Sequence, residues 1–377
     1  MIAMLEGLFL ELGSIIMSII LTFGTLFSAF VPATTTEAEN YYDGNIKNVI
    51  YLIGDGMGFN HLEKTKQEKG LSLVMDTVGI RGESRTRSLT NAVTDSAAGG
   101  TALATGVRTY NGAIGVYLTD CLGVVSVPKN ITELCIERGM KTGVITSDET
   151  SGATPSAFSA HAVDRGETKN ITEDQLNSKI DLIWGTANGV ATKEAANAKG
   201  FTYITTDDEM MALEEGSRSF AQFTNNLWTL EQSDENTPTL EQMAIKAIDL
   251  LDDTDEGFFL MIEGAHIDKH SHSNEDENMM EAVMEFDKVI DYVLQYAAND
   301  GETLVVITAD HETGAITKNS DGTYSFTQGS HSAANVPLLV YGSDKLIANG
   351  ETVNNYEIPI RIAYVLGFTE DDFPLAA

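Results

Sequence analysis

The chain has 377 residues, of which 42% are hydrophobic and 21% are charged, a balance typical of a globular protein with a buried core. Its 56 acidic residues against 23 basic ones give a formal net charge of −33 at pH 7. Because such a charge repels phosphate backbones and anionic head groups, the composition argues against nucleic acid as a specific partner and against anionic membrane surfaces.

The first 44 residues differ in composition from the rest. Residues 12–36 carry no charge and are mostly apolar up to residue 31, and a polar spacer follows. This pattern predicts an export signal or an N-terminal anchor, and with it a periplasmic or extracellular protein whose only membrane contact would be this segment. Since the first basic residue is Lys47, the usual positive start of an export signal is missing, and a buried helix stays the alternative. We expect residues 45–377 to form one domain.

Short apolar runs then recur along the chain, each ending in polar residues. They predict buried strands at 48–53, 141–146, 257–262 and 303–308, and Pro337 favours an edge or a strand start for the run 336–341. Helical periodicity lies at 239–251 and 278–298, and Asp321-Gly322 predicts a hairpin. This alternation predicts an α/β fold with three layers, in which helices cover both faces of a mostly parallel sheet.

Four potential ligands stand where these strands end: Asp55, Glu263, Asp310 and His311. In open α/β sheets, ligands bind beyond the carboxyl ends of the strands. We therefore expect these four side chains to share one site.

A single serine, Ser96, lies between Asp95, which could cap a helix, and a run of very small residues at 97–102. Small residues allow the backbone to approach whatever the serine faces. A serine needs an activator to act as a nucleophile, yet no G-x-S-x-G turn and no His–Asp partner surround it. If Ser96 is reactive, a metal ion is the candidate activator.

Histidines cluster in one region of the chain. Of only seven, three lie at positions 266, 270 and 272, and His311 follows. Mixed Asp and His ligands suit Zn²⁺, whereas carboxylates with hydroxyls and water suit Mg²⁺. Spacing alone leaves both His270 and His272 open as partners of Asp268, and it does not bring His331 into the site.

The two cysteines, Cys121 and Cys135, are too few for a disulfide scaffold. Cys121 falls in a predicted loop and Cys135 on a predicted helix at 131–138. A bond across this short stretch and two free thiols both stay open.

Six motifs in one order resemble those of the metal-dependent alkaline phosphatases that use a serine nucleophile. They span roughly residues 46–345, and the absence of large insertions suggests a compact member of the bacterial type. The motifs are Asp55-Gly56-Met57-Gly58, Thr94-Asp95-Ser96-Ala97-Ala98, Ala153-Thr154-Pro155-Ser156-Ala157, Glu263-Gly264-Ala265-His266-Ile267-Asp268-Lys269, Ala309-Asp310-His311-Glu312-Thr313-Gly314 and Gly329-Ser330-His331-Ser332.

The resemblance implies two zinc ions and one magnesium ion. The first zinc would be held by Asp268, His272 and His331. The second zinc would face Ser96 and be held by Asp55, Asp310 and His311. The magnesium would be held by Asp55, Thr154 and Glu263.

The resemblance also implies the reaction, which is hydrolysis of phosphate monoesters through a phosphoseryl intermediate on Ser96. Arg165, expected on a helix, would clamp the phosphate, and Lys269 would reach it through water. A homodimer is implied as well. The sequence departs from the family at Gly152, where an acid or a histidine is common, and this puts the third metal in question.

Two other interpretations of the same residues stay open. The first is a phosphodiesterase of the same superfamily, which Arg165 disfavours because its charge suits a monoester. The second is a phosphate or metal scavenger without catalysis. A sulfatase is disfavoured because no C/S-x-P-x-R motif surrounds Ser96.

Overall fold

A computed structural model describes residues 37–118, 125–223 and 236–373 of the chain. The strands are β1 (Asn48–Gly54), β2 (Ile80–Arg85), β3 (Tyr117–Leu118), β4 (Val125–Ser126), β5 (Lys141–Glu149), β6 (Leu182–Thr186), β7 (Thr202–Ile204), β8 (Ser219–Phe223), β9 (Phe258–Gly264), β10 (Thr303–Thr308), β11 (Glu312–Thr313), β12 (Thr317–Lys318), β13 (Tyr324–Ser325), β14 (His331–Ser332), β15 (Val336–Tyr341) and β16 (Thr352–Asn354). The helices are α1 (Glu37–Tyr41), α2 (Phe59–Lys69), α3 (Ser96–Thr105), α4 (Ile131–Glu137), α5 (Ala153–Ala157), α6 (Thr168–Asn177), α7 (Lys193–Ala198), α8 (Asp207–Met211), α9 (Leu240–Leu251), α10 (His266–His272), α11 (Asp276–Asp300) and α12 (Glu357–Val365), with a 3₁₀ turn at Val74–Thr77.

Ten strands form the central sheet in the order β16-β2-β15-β10-β1-β9-β5-β6-β8-β7. All neighbours pair in parallel except β15, which is antiparallel to both β10 and β2. The mostly parallel sheet predicted from the sequence is therefore confirmed. Pro337 is the second residue of β15. Because β15 has a partner strand on each side, it is not an edge strand, and the proline instead lies at the start of the strand.

Two hydrophobic cores cover the two faces of the sheet. Successive residues of β1 alternate between them: Ile50 and Leu52 pack with α9 and α11, whereas Val49, Tyr51 and Ile53 pack with α3, α4 and α12. Every residue of β1 is buried, which explains why a central strand is continuously apolar in sequence. The predicted three-layer arrangement is confirmed.

The apolar runs mark the strands around the site to within a few residues, and the hairpin at Asp321-Gly322 is formed by β12 and β13. Within the central sheet, the sequence analysis missed β2, β6, β7, β8 and β16. In β2 the sequence IRGESR carries almost no apolar signal, and the strand is defined by its pairing with β15 and β16.

Two sequence predictions lie outside the described residues: the export or anchor segment at 12–36, and any bond of Cys121. Cys135 is buried on α4, and burial raises the pKa of its thiol to about 12. Among the described residues, no helix is both long and apolar enough to cross a membrane.

Candidate metal centre and nucleophile

The register of the parallel strands brings the predicted ligands to one edge of the sheet. Ile53 of β1 pairs with both Thr308 of β10 and Glu263 of β9. Asp55 lies two residues after Ile53, and Asp310 lies two residues after Thr308. Both aspartates therefore lie just beyond Glu263 at the carboxyl edge of the sheet. The register thus places Asp55, Glu263 and Asp310 at the same edge of the sheet.

Asp55, Asp310 and His311 form a buried group whose ligand atoms all lie within 4.8 Å of one another. The His311 Nε2 atom is 3.2 Å from Asp310 Oδ2 and 3.6 Å from Asp55 Oδ1. The other oxygen of Asp310 accepts hydrogen bonds from the backbone N–H groups of Gly56 and His311. Asp55 Oδ1 and Asp310 Oδ2 have no hydrogen-bond donor among the described residues, so both point at the centre of the group.

Burial and neighbouring charges shift the pKa values of all three side chains of this group. Burial, followed by the charges of Asp310, Asp268 and Glu263, raises the pKa of Asp55 well above its usual value. Burial likewise raises the pKa of Asp310 and lowers that of His311 well below its usual value. A divalent cation would lower the pKa values of the two carboxyl groups again, because it favours carboxylates, and it would keep His311 neutral.

Asp268, His272 and His331 form a second group, again with ligand atoms within 4.8 Å of one another. The Nε2 atoms of His272 and His331 are 3.0 Å apart, and they lie 3.4 and 3.6 Å from the two oxygens of Asp268. The Nδ1 atoms face the backbone carbonyls of Gly329 and Thr94. Each Nδ1 must therefore donate its hydrogen, which leaves both Nε2 lone pairs facing each other as metal ligands do.

The two groups touch. The rings of His311 and His331 stack with their centroids 3.6 Å apart. The Thr313 hydroxyl donates its hydrogen to Asp268 and lies 3.2 Å from Nδ1 of His311. Since that hydrogen is already used, Nδ1 of His311 must donate to the hydroxyl oxygen, and the lone pair of His311 lies on Nε2. Spacing alone could not choose between His270 and His272; in the structure, His272 joins this group and His270 Nδ1 pairs with Glu275.

Ser96 is the first residue of α3, and its Oγ lies 3.1 Å from Nε2 of His311. Asp95 caps the helix by accepting from the Ala98 N–H, so the positive end of α3 points at the site. The small residues have a packing role that the sequence did not reveal. A Cβ at Gly99 would lie 2.9 Å from the Asp310 carbonyl oxygen, and one at Gly100 would lie 3.2 Å from Cα of Thr154.

Glu263 lies near the first group, because its charge raises the pKa of Asp55, and Thr154 packs against Gly100 of α3. Glu263 accepts from the Thr146 hydroxyl, and burial, followed by the charge of Asp148, raises its pKa to about 8. The buried Thr154 hydroxyl has no hydrogen-bond partner among the described residues. A carboxylate and an unpartnered hydroxyl are a donor set that fits a hard cation such as Mg²⁺.

Arg165 and Lys269 differ from expectation in their local setting. Arg165 lies in a turn between α5 and α6, not on a helix, and its Nη1 is 3.5 Å from Asp95. Its charge lowers the pKa of Asp55, an effect smaller than the burial and the neighbouring acids that raise it, so the guanidinium lies within electrostatic reach of that carboxyl group. Lys269 forms an ion pair with Asp148, a residue the sequence analysis did not assign.

Comparisons with known proteins identify the family of this chain. The family model described as alkaline phosphatase matches residues 46–188 and 185–355. The chain belongs to the alkaline phosphatase family. Alkaline phosphatase 4 of Bacillus subtilis is 32% identical, over 80% of this chain and 69% of the relative, and the alkaline phosphatase of Escherichia coli is 29% identical, over 74% and 72%. This phosphatase is thus an enzyme that hydrolyses phosphate monoesters.

The fold of the phosphatase also matches solved structures. The alkaline phosphatase of the Antarctic bacterium TAB5 superposes with a TM-score of 0.76 at 30% identity, covering 86% of this chain and 98% of that one. A variant of that enzyme with Mg bound in the M3 site superposes with the same score.

Two supporting residues of the phosphatase were missed by the sequence analysis. Thr313 contacts Asp268 of one candidate metal-binding group and His311 of the other. Its position two residues after His311 could have indicated this role in the sequence. Asp148 follows the apolar run at 141–146 as Asp55 follows the run at 48–53, so the rule applied to the other runs would have found it.

Proposed function

We propose that this phosphatase acts through Ser96. Its Oγ would attack the phosphorus atom as the bond from phosphorus to the substrate oxygen breaks, so that the alcohol leaves and a phosphoseryl intermediate forms. Water would then displace Oγ from phosphorus, which releases inorganic phosphate and restores the serine hydroxyl. The observation that carries this proposal is the 3.1 Å approach of Ser96 Oγ to His311 within a buried group of carboxylates and imidazole. In this position the hydroxyl and a metal ligand face the same point.

We assign two zinc ions and one magnesium ion to these residues. Asp268, His272 and His331 would hold one zinc, and Asp55, Asp310 and His311 the other; Glu263, Thr154 and Asp55 would hold the magnesium. Zinc beside Ser96 would favour its alkoxide and offset charge on the oxygens of an in-line displacement. The tautomers fixed by Gly329, Thr94 and Thr313 support this assignment, because they leave three Nε2 atoms to bind metal.

The chain itself would bind the phosphate with two positive groups. Arg165 offers a planar fork that matches two phosphate oxygens, and its half-exposed side chain contacts Asp95 at 3.5 Å as its one ion-pair partner among the described residues. The amino end of α3, where Ser96 sits, favours an anion as well. Together these groups would orient the phosphorus toward Ser96 Oγ.

Replacing the nucleophile tests this proposal. Ser96→Ala should remove the phosphoenzyme that is trapped from an aryl phosphate at low pH, and turnover should fall by at least about 10³-fold. Ser219→Ala is a matched control, because Ser219 is buried in β8, which lies at the far end of the sheet. If the Ser96 variant kept its turnover, the nucleophile would be a different residue.

A comparison of substrates tests the alternatives. Rates on an aryl phosphate monoester, a diester and a sulfate ester should favour the monoester, since Arg165 suits its second negative charge. A preference for the diester would favour the phosphodiesterase. Tight phosphate binding without turnover after zinc is restored would favour a scavenger.

The proposed setting of the enzyme is outside the cell. The apolar segment at 12–36 supports export, with retention by that segment as an anchor a second possibility. We also propose a homodimer, from the resemblance to the family; size-exclusion chromatography with light scattering tests it.

A further inference from the structure

Asp148 occupies the space that Gly152 leaves free. A Cβ added at Gly152 would lie 2.8 Å from Asp148 Oδ2. The backbone of Gly152 has φ −53° and ψ 155°, which any residue can adopt, so its conformation does not demand glycine. What a side chain at position 152 would first meet is the Asp148 carboxylate.

An irregularity in β5 directs Asp148 to this place. In the pairing of β5 with β6, Ile145 lies opposite Trp184 and Glu149 opposite Thr186, so β5 has two extra residues in this stretch. Such bulges redirect side chains and are frequent beside active sites. Gly185 makes room for the bulge, because a Cβ there would lie 2.6 Å from the carbonyl oxygen of Asp148.

The bulge holds the helix that carries two of the zinc ligands. Ser147 Oγ accepts from the N–H of Ala265, just before α10, and Asp148 pairs with Lys269 on that helix. On its other side, the Asp148 N–H donates to the Thr146 hydroxyl, which in turn donates to Glu263. Asp148 thus stands between the lysine and the acid proposed for the third metal.

We infer that Asp148 is a positioning residue of the active site, which supplies from β5 the carboxylate that position 152 lacks. This inference rests on the proposed function, because it assigns Asp148 to the magnesium site and to the phosphate site described there. The carboxylate adds negative charge beside Glu263, which strengthens Mg²⁺ binding, and it holds the Lys269 ammonium away from the phosphate.

Two variants on either side of the ion pair should have different effects. Asp148→Asn should weaken Mg²⁺ binding about tenfold and tighten the binding of inorganic phosphate about fivefold, because Lys269 is released. Lys269→Met should change phosphate affinity by less than about twofold, because the ion pair already holds the ammonium away from the phosphate, and it should not weaken Mg²⁺ binding. Both affinities are measured by calorimetry on zinc-loaded protein, with Mg²⁺ alone or inorganic phosphate alone as the titrant.

A matched control exists at the other end of the same strand. Lys141, the first residue of β5, pairs with Asp253, and both side chains are 23% exposed, against 33% and 24% for Lys269 and Asp148. Asp253→Asn should change neither affinity by more than about twofold. A loss of Mg²⁺ affinity there equal to that of Asp148→Asn would overturn the inference.

A relocated carboxylate gives the sharpest test. Gly152→Asp combined with Asp148→Ala should restore Mg²⁺ affinity relative to Asp148→Ala alone, with a small shift at the Glu149 carbonyl, which would lie 3.0 Å from the new Cβ. Gly152→Asp alone should lower the melting temperature, because two carboxylates would compete for one space. Equal affinities for both titrants in Asp148→Asn and the natural protein would overturn the role of Asp148. Failure of the natural protein to hydrolyse an aryl phosphate would instead contradict the proposed function.

Discussion

At the scale of single residues, Arg165 is the group whose geometry matters more than its charge. Its Nη1 lies 3.5 Å from Asp95 and its side chain is 44% exposed, so it contributes little to folding and is available to a ligand. Arg165→Lys keeps the charge but loses the planar fork. We expect kcat/KM for an aryl phosphate to fall about 10- to 100-fold, with weaker inhibition by phosphate and an unchanged melting temperature.

Arg81→Lys is the control for this substitution. Arg81 lies 3.4 Å from Asp76 and its side chain is 40% exposed, so the pair resembles Arg165 with Asp95 but belongs to β2. Steady-state kinetics of the two variants should differ, with Arg81→Lys close to the natural protein. Similar losses in both variants would mean that the loss does not depend on the position of Arg165 beside the site.

Residues also show what the sequence could and could not reveal about the site. Asp268 and His272 lie four apart on a helix, so their meeting follows from helical geometry. His331 joins them because it pairs with Thr313 in the two-residue ladder of β14 and β11. So short a ladder has no recognisable propensity signal, and only the resemblance to known phosphatases pointed to this residue.

At the scale of elements, helix α3 acts as a wedge of small residues. Every residue of α3 is buried, and Gly99 faces the backbone of Asp310. Gly99→Ala would place a methyl group 2.9 Å from the Asp310 carbonyl oxygen, so either α3 or the segment after β10 that carries Asp310 must move. We expect a loss of about 1–3 kcal/mol in the free energy of unfolding, despite the better helix propensity of alanine, and a lower kcat.

Denaturant unfolding and kinetics of Gly99→Ala should be compared with those of Gly79→Ala. A Cβ at Gly79 meets nothing within 4 Å, and its backbone needs no left-handed conformation. That variant should unfold and react like the natural protein. A Gly99 variant of unchanged stability and activity would show that α3 can accommodate a methyl group against the Asp310 backbone.

Helices with a regular spacing of apolar residues were predictable from the sequence, whereas short strands that exist only through pairing with a neighbouring strand were not. The helix α9 has apolar residues on one face and a Thr239 cap, and α11 has a similar stripe, so periodicity marked both. The strands β7 and β16 have three residues each and depend on one neighbour for their existence. Local sequence carries little information about such pairing.

At the scale of the whole molecule, the fold gathers acids from distant parts of the chain into a protein that already carries a net charge of −33. Asp55, Asp310 and Glu263 are at most 7% exposed, and they repel one another unless a cation or a proton intervenes. In the metal-free protein this repulsion lowers the free energy of unfolding. Bound metal should therefore stabilise the whole domain as well as its reaction.

The pH dependence of this stabilisation has a definite sign. In the metal-free fold, Glu263 has a pKa raised to about 8 from an ordinary value of 4.5, and the pKa values of Asp55 and Asp310 are raised as well. The folded chain thus holds protons that the unfolded chain has lost, so its stability falls as the pH rises through this window. His311, whose pKa is lowered, makes its full contribution above its ordinary value of 6.5 and adds no slope there.

We expect the melting temperature of chelated protein to fall between about pH 6 and pH 8.5, while that of metal-loaded protein changes less, because the cation replaces the proton. The gap between the two, measured by calorimetry, should widen with pH. Glu263→Gln should flatten the slope of the chelated protein, since the neutral side chain has no proton to lose. A gap that stayed constant or narrowed across this range would mean that these carboxylates are already ionised, and balanced by other groups, in the metal-free fold.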